Sequence, residues 1–65
     1  MTRDQELWGM ALWVERQHGA EAGDVFIAGR IDHFSSAGDE GGVDLWAAVA
    51  ERFNKLQVSK VSARN

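Results

Sequence analysis

The side chains that could take part in chemistry are few and widely spaced. The two histidines, His18 and His33, do not have the i,i+4 spacing that lets two imidazoles on one helix share a zinc ion. The chain contains no cysteine, which excludes thiolate metal ligands and disulfides. Asp32 directly precedes His33, and adjacent helical residues point to different sides, so the two make a poor acid–base pair. We expect no metal site and no catalytic dyad here.

The glycine-rich segment 38–42 invites comparison with a phosphate-binding loop. The preceding strand and the following Lys-Ser/Thr of such a loop are missing, and Asp39 and Glu40 would repel a phosphate. Calcium loops need oxygen ligands at alternating positions, which the segment lacks. Ser35 and Ser36 have no base and third group arranged around them. We therefore predict a tight turn between helices, no cofactor and no enzymatic activity.

Length and charge narrow the class of protein further. The chain has 65 residues, a formal net charge of -3 and 45% hydrophobic residues, which fits one domain with a small core. No apolar run approaches the roughly 20 residues of a membrane span, and the N-terminus lacks an apolar signal core. The seven basic residues are spread along the chain, which argues against nucleic-acid binding. We expect a cytoplasmic protein without a membrane association.

The elements that must position any site are helical, because the apolar residues recur at helical spacing between glycines. The first predicted helix runs from about Arg3 to His18. Thr2 and Gln5 form a capping box at its start, and Gly19 suits the left-handed conformation that stops a helix.

The second predicted helix covers residues 21–37, and its start is open. Gly23 fits either a late N-cap with Asp24 or a position inside the first turn. The third predicted helix begins at the N-cap Asp39 and ends near Gln57.

Short glycine-containing connections between consecutive helices favour antiparallel neighbours. The predicted fold is all-α: a three-helix bundle with up-down-up topology, formed by residues 1–57 as a single domain. Residues 58–65 are predicted to be a polar, frayed tail. The expected core consists of apolar residues on the three facing stripes: Leu7, Met10, Ala11, Val14, Ile27, Ile31, Phe34, Trp46, Val49, Phe53 and Leu56.

Two charged residues, Glu15 and Arg30, fall inside the apolar arcs of the first and second predicted helices. Charges at such positions are costly unless they are paired. One hypothesis is a structural ion pair between them across the helix interface. The alternative is that both side chains reach the rim without meeting.

Trp13 is the clearest outlier, since helical spacing puts it on the outer face of the first predicted helix. Gly9 lies one turn before it and leaves a shallow notch beside the ring. Tryptophan is enriched in interface hot spots, so Trp13 and Gly9 form the candidate interaction surface. The alternative is that Trp13 packs on the chain ends or a loop.

The sequence resembles a family of short uncharacterised proteins of alphaproteobacterial, sphingomonad type, classed as a domain of unknown function. The resemblance covers residues 1 to about 57, and Gly29 departs from it, since a better helix former is expected there. It implies a bacterial, cytoplasmic origin and no known activity. It is carried by residues 1–19 (MTRDQELWGMALWVERQHG), residues 26–31 (FIAGRI), Gly38, Asp39, Gly42, Val43 and Trp46.

The small core, the lack of site chemistry and the spare aromatic surface favour a small helical protein–protein interaction or regulatory module. The partner is an unidentified protein or a second copy of the chain, which would make a homodimer. The alternative is a helix-turn-helix-like DNA-binding domain. Its recognition helix would be the third, whose acidic first turn and mixed charges suit DNA poorly.

Overall fold

The protein consists of two helices, as seen in a computed structural model that describes residues 2–63, with side chains up to residue 59. Helix α1 is Arg3–Ser36 and helix α2 is Glu40–Ala63. The all-helical prediction is confirmed, but the three-helix bundle is wrong. The first two predicted helices are one continuous element, because no loop separates them: α1 bends at Gly19 and resumes directly after it.

The bend depends on the backbone of Gly19, which has φ 81 and ψ -176. This region of conformational space is essentially restricted to glycine. Gly19 thus shares the positive φ of the predicted left-handed conformation but has an extended ψ, and the prediction that it ends the helix is wrong, since it makes a corner inside α1. We call residues 3–18 the N-terminal arm of α1 and residues 20–36 its C-terminal arm. Gly23 lies inside the C-terminal arm, so the segment has no separate N-cap there.

The predicted capping box at the start of α1 is confirmed. The Thr2 hydroxyl accepts a hydrogen bond from the Gln5 backbone N–H at 3.1 Å. The Gln5 side chain in turn accepts one from the Thr2 N–H at 2.9 Å. These two bonds satisfy backbone donors that the first turn cannot pair internally.

The predicted tight turn between helices is confirmed as well. Gly38 has φ 73, and the N–H of Asp39 reaches back to the carbonyl of Phe34 at 2.9 Å, which is the closing bond of a Schellman motif. Asp39 then caps α2, because its Oδ1 accepts a hydrogen bond from the Gly42 N–H at 3.0 Å.

Helix α2 continues to Ala63, beyond the predicted end near Gln57. The predicted frayed tail therefore begins inside this helix, and residues 64 and 65 lie outside the described part of the chain.

The C-terminal arm and α2 pack as an antiparallel pair with a reciprocal glycine–phenylalanine contact at each end. Gly23 lies against Phe53, where an added Cβ would come within 2.6 Å of the ring. Gly42 lies against Phe34 in the same way, with the glycine now on α2. The missing side chains let the two backbones approach closely at both ends of this pair.

The core lies between α2 and both arms of α1. The six apolar residues that are buried among residues 2–59 all belong to the predicted core, and Met10, Ile31, Trp46 and Leu56 are partly buried against them. The N-terminal arm is tied to α2 at two levels, by an Asp4–Arg52 ion pair at 2.9 Å and a Gln57–Glu15 hydrogen bond at 2.8 Å. The buried residues are Leu7, Ala11, Val14, Ile27, Val49 and Phe53.

Candidate interaction surface

An open groove of about 740 Å³ lies between the N-terminal arm and α2. Its lining is mostly apolar, with polar groups at one side. The groove includes both residues of the predicted interaction surface and adds Trp46 from α2. The lining residues are Gln5, Glu6, Gly9, Met10, Trp13 and Trp46.

Trp13 stands at the edge of this groove with 50% of its surface exposed. Its inner side faces two rings that flank the bend, centroid to centroid 6.1 Å from His18 at the end of the N-terminal arm and 6.0 Å from Phe26 of the C-terminal arm. The ring therefore packs across the bend of α1, not on a chain end or a loop. Its position is fixed while half of it remains open to solvent.

The support beneath Trp13 is an aromatic cluster that crosses from α1 to α2. His18 stacks on Phe26 at 4.4 Å with an interplanar angle of 19°. Phe26 meets Trp46 edge-on at 5.8 Å. Offset and edge-to-face ring contacts of this kind are favourable beyond the area they bury. The sequence did not reveal this cluster, because the bend at Gly19 is what brings His18 back over Phe26.

Gly9 lines the groove together with Trp13. A Cβ built on Gly9 would meet no atom within 4 Å, so the notch is empty space and not a packing contact. Glycine in a helix interior costs about 0.5–1 kcal/mol relative to alanine. Nothing inside the described chain offsets that cost at Gly9.

Further apolar surface is exposed outside the groove lining. Leu12, next to Trp13 in the sequence, is 45% exposed. Val25 and Val58 are exposed as well. Isolated exposed apolar residues are ordinary, whereas Leu12 and Trp13 together extend the apolar area at Gly9.

Glu15 and Arg30 contact α2 at different levels. The Glu15 carboxylate accepts a hydrogen bond from Gln57 Nε2 at 2.8 Å. The Arg30 guanidinium lies over the Trp46 ring at 5.7 Å and over the Phe34 ring at 5.2 Å. Positions 46 and 57 are about 16 Å apart along a helix axis, so these contacts do not support the predicted ion pair.

Arg30 instead stabilises one wall of the groove. Its charge faces two aromatic rings, an arrangement in which the ring quadrupole attracts a cation. Its Nε is buried and has no hydrogen-bond partner among the described residues. Trp46 is thus held by Arg30 and by Phe26.

The residues of the chemical motifs do not assemble into a reactive site within the described chain. No group of three or more His, Asp or Glu side chains among them could hold a metal ion. Ser35 lines a separate depression with acidic residues of the turn, where Asp39 is already engaged in capping α2. Neither helix, over the residues described, is both long and apolar enough to cross a membrane.

These features define the class of protein: over residues 2–63 the chain is all-α, with two helices, one of them bent at a glycine, and an apolar surface groove. The family of unknown function DUF6961 matches residues 3–61, and the chain belongs to that family. The resemblance to a domain of unknown function is thereby confirmed, while the alphaproteobacterial origin stays a prediction. No curated protein and no solved structure matches the chain.

Proposed function

We propose that the chain is a small helical protein–protein interaction module without catalytic activity, and that the groove beside Trp13 is its binding surface. The observation that supports this most directly is the empty notch at Gly9 next to a half-exposed tryptophan. Tryptophan is among the residues enriched at interface hot spots, which cluster near the centre of protein interfaces.

The energetics of Gly9 favour a partner outside the fold. The glycine lowers helix stability by about 0.5–1 kcal/mol and receives no packing contact in return. A group inserted into the notch would contact the helix backbone and the Trp13 ring together. The cost at Gly9 then has a compensating gain in the bound state.

The other lining residues suit the same role. Met10 and Trp46 are half-buried and present apolar surface, while Gln5 and Glu6 are exposed at the rim. An apolar centre with a polar edge is the usual composition of a protein interface. Methionine also adapts its shape to different partners more easily than branched side chains do.

The DNA-binding alternative receives no comparable support. Two of the cations on α2 are engaged with carboxylates, Lys55 with Glu51 at 3.3 Å and Arg52 with Asp4 at 2.9 Å. Cations that contact phosphates or bases would have to give up these partners.

Site-specific photo-crosslinking in cells of the organism that encodes the chain tests the proposal. When the chain is otherwise unchanged, a photoreactive amino acid at Gln5, on the groove rim, is expected to give discrete adducts with a partner protein. The adducts are expected to disappear in the Trp13→Ala background. They should persist in the Val25→Ala background, because Val25 is 73% exposed but lies outside the groove. Identical adducts in all three backgrounds would contradict the proposal.

A further inference from the structure

The outward face of the N-terminal arm has a self-complementary arrangement. Ala11 has 0% exposure, so the opposite, outward side of the arm is turned toward solvent. Gly9 and Trp13 lie on that outward side at equal distances along the chain from Ala11, one before it and one after it. Glu6 and Arg16 lie further from Ala11 along the chain, again at equal distances before and after it.

This spacing matters because two identical helices that cross antiparallel exchange equidistant positions. A two-fold axis at the level of Ala11 would bring Gly9 of each copy to Trp13 of the other, and Glu6 of each copy to Arg16 of the other. The notch would then receive an indole ring, and each carboxylate would face a guanidinium. Both contacts would occur twice, as an isologous interface requires.

We infer that the groove is occupied by a second copy of this chain, packed antiparallel through the N-terminal arms with Gly9 against Trp13 and Glu6 against Arg16. This inference rests on the proposed function and names its partner. Met10 and Leu12, again equidistant from Ala11, flank the same contact and add apolar surface on its two sides.

The charges at the interface are available for this pairing. Glu6 and Arg16 are both exposed, and within residues 2–59 neither takes part in an ion pair of its own chain. An unrelated partner has no reason to match the equal spacing of all these positions. A second copy matches it automatically, because the same face supplies both the notch and the ring.

The size of the chain also favours a second copy. Among residues 2–59 of the single chain only six apolar residues are buried, a small core for independent stability. Pairing through the outward face would cover Leu12 and Trp13, which are 45% and 50% exposed. The dimer would thus add two large apolar side chains from each copy to the buried area.

Charge reversal tests the register, with mass measured by light scattering and by sedimentation velocity on the purified full chain from micromolar to millimolar concentration. The wild-type chain is expected to dimerise. Glu6→Arg and Arg16→Glu each place like charges opposite one another twice. Each single variant should therefore associate at least about tenfold more weakly.

Mixing the two single variants provides the decisive test of the register. In a mixed dimer, the introduced arginine of the Glu6→Arg copy faces the introduced glutamate of the Arg16→Glu copy, and these charges attract. The other contact joins the native Arg16 of the first copy and the native Glu6 of the second. The equimolar mixture should recover the wild-type affinity as a heterodimer, and the double variant should recover it as a homodimer. Recovery also shows that the single variants remain folded, which circular dichroism checks directly.

Three results would overturn the inference. They are a wild-type chain that stays monomeric throughout the range, single variants that dimerise as the wild type does, and a mixture that fails to recover. A monomeric wild type whose cellular crosslinks to another protein still depend on Trp13 would leave the proposed function standing. Loss of both the dimer and the Trp13-dependent crosslinks would remove both.

Discussion

Glycines play opposite roles on the two sides of this molecule. In the seam between the C-terminal arm and α2, Gly23 and Gly42 each accept a phenylalanine ring from the other helix. On the outer surface of α1, a Cβ added to Gly9 or Gly29 would meet no neighbouring atom within 4 Å. Glycine therefore improves helix packing at the two positions in the seam, whereas at the two outer positions it only lowers helix stability. An unoccupied glycine is informative when an exposed aromatic residue lies beside it, which is the case at Gly9.

The largest expected effect on stability is at Gly19, where α1 bends. This bend sets which face of the N-terminal arm packs on the core and which faces solvent. Gly19→Ala would force a side chain into a region with φ 81 and ψ -176. We expect the free energy of unfolding to fall by about 2–3 kcal/mol, measured by chemical denaturation. D-alanine at position 19, introduced by chemical synthesis, is the matched control. Its mirror-image preferences allow this conformation, so its stability should stay near that of the wild type.

An L-alanine variant as stable as the wild type would show that the corner does not need a positive φ. The inner and outer faces of the arm would then no longer be fixed by this residue, and the comparison between them would lose its basis.

The seam should tolerate added volume poorly. Gly23→Ala would place a methyl group 2.6 Å from the Phe53 ring and 3.1 Å from Val14 Cγ1. We expect a loss of about 1–2 kcal/mol in the free energy of unfolding, although alanine is the better helix former. In a Phe53→Leu background, Gly23→Ala should destabilise the protein less, because the ring that the new methyl group would meet is absent. Additive effects of the two changes would contradict a direct contact.

Much of the fold could be predicted from local patterns. The capping box, the Gly38 turn and the cap at Asp39 depend on a few neighbouring residues, and each is confirmed. The core was also predictable, since helical periodicity identifies the apolar stripe whichever helix it faces.

The number of helices could not be predicted in the same way. A glycine after an apolar stripe is compatible with a stop followed by a loop and with a sharp corner inside one helix, and the choice depends on tertiary packing. For the same reason the sequence did not reveal that Gly23 is buried against Phe53, since close approach of two helices leaves no local signal.

The candidate surface was predicted only in part. Trp13 and Gly9 stood out because their spacing placed an aromatic ring and a notch on an outer face. Trp46 joins them from α2. That contact depends on how the N-terminal arm crosses α2, which periodicity alone does not determine. The Glu15–Arg30 hypothesis assumed two adjacent helices in register, whereas the bend leads each side chain to a different level of α2.

The outer glycines should respond oppositely to those of the seam. Gly9→Ala and Gly29→Ala are each expected to raise the free energy of unfolding by about 0.5–1 kcal/mol, because alanine favours the helix and nothing is displaced. The measurement is thermal or chemical denaturation at dilute protein concentration. The two variants should differ in association, since only Gly9→Ala fills the notch. Equal association of both variants would separate Gly9 from the binding surface.

The smallest expected effect concerns the polar contact between the N-terminal arm and α2, where Arg52 reaches Asp4 at 2.9 Å. The carboxylate is largely exposed, which limits the strength of the pair, while Arg52 is mostly buried. Asp4 also favours the N-terminus of α1 by its charge, so a single substitution would mix two effects. A double-mutant cycle with Asp4→Asn and Arg52→Gln isolates the ion pair. The effect of the Asp4 charge on the helix N-terminus cancels, because it is the same with and without Arg52. We expect a coupling of about 0.5 kcal/mol at low salt that declines as salt is added. A coupling of zero would mean that this ion pair does not help to hold the first turn of α1 against α2.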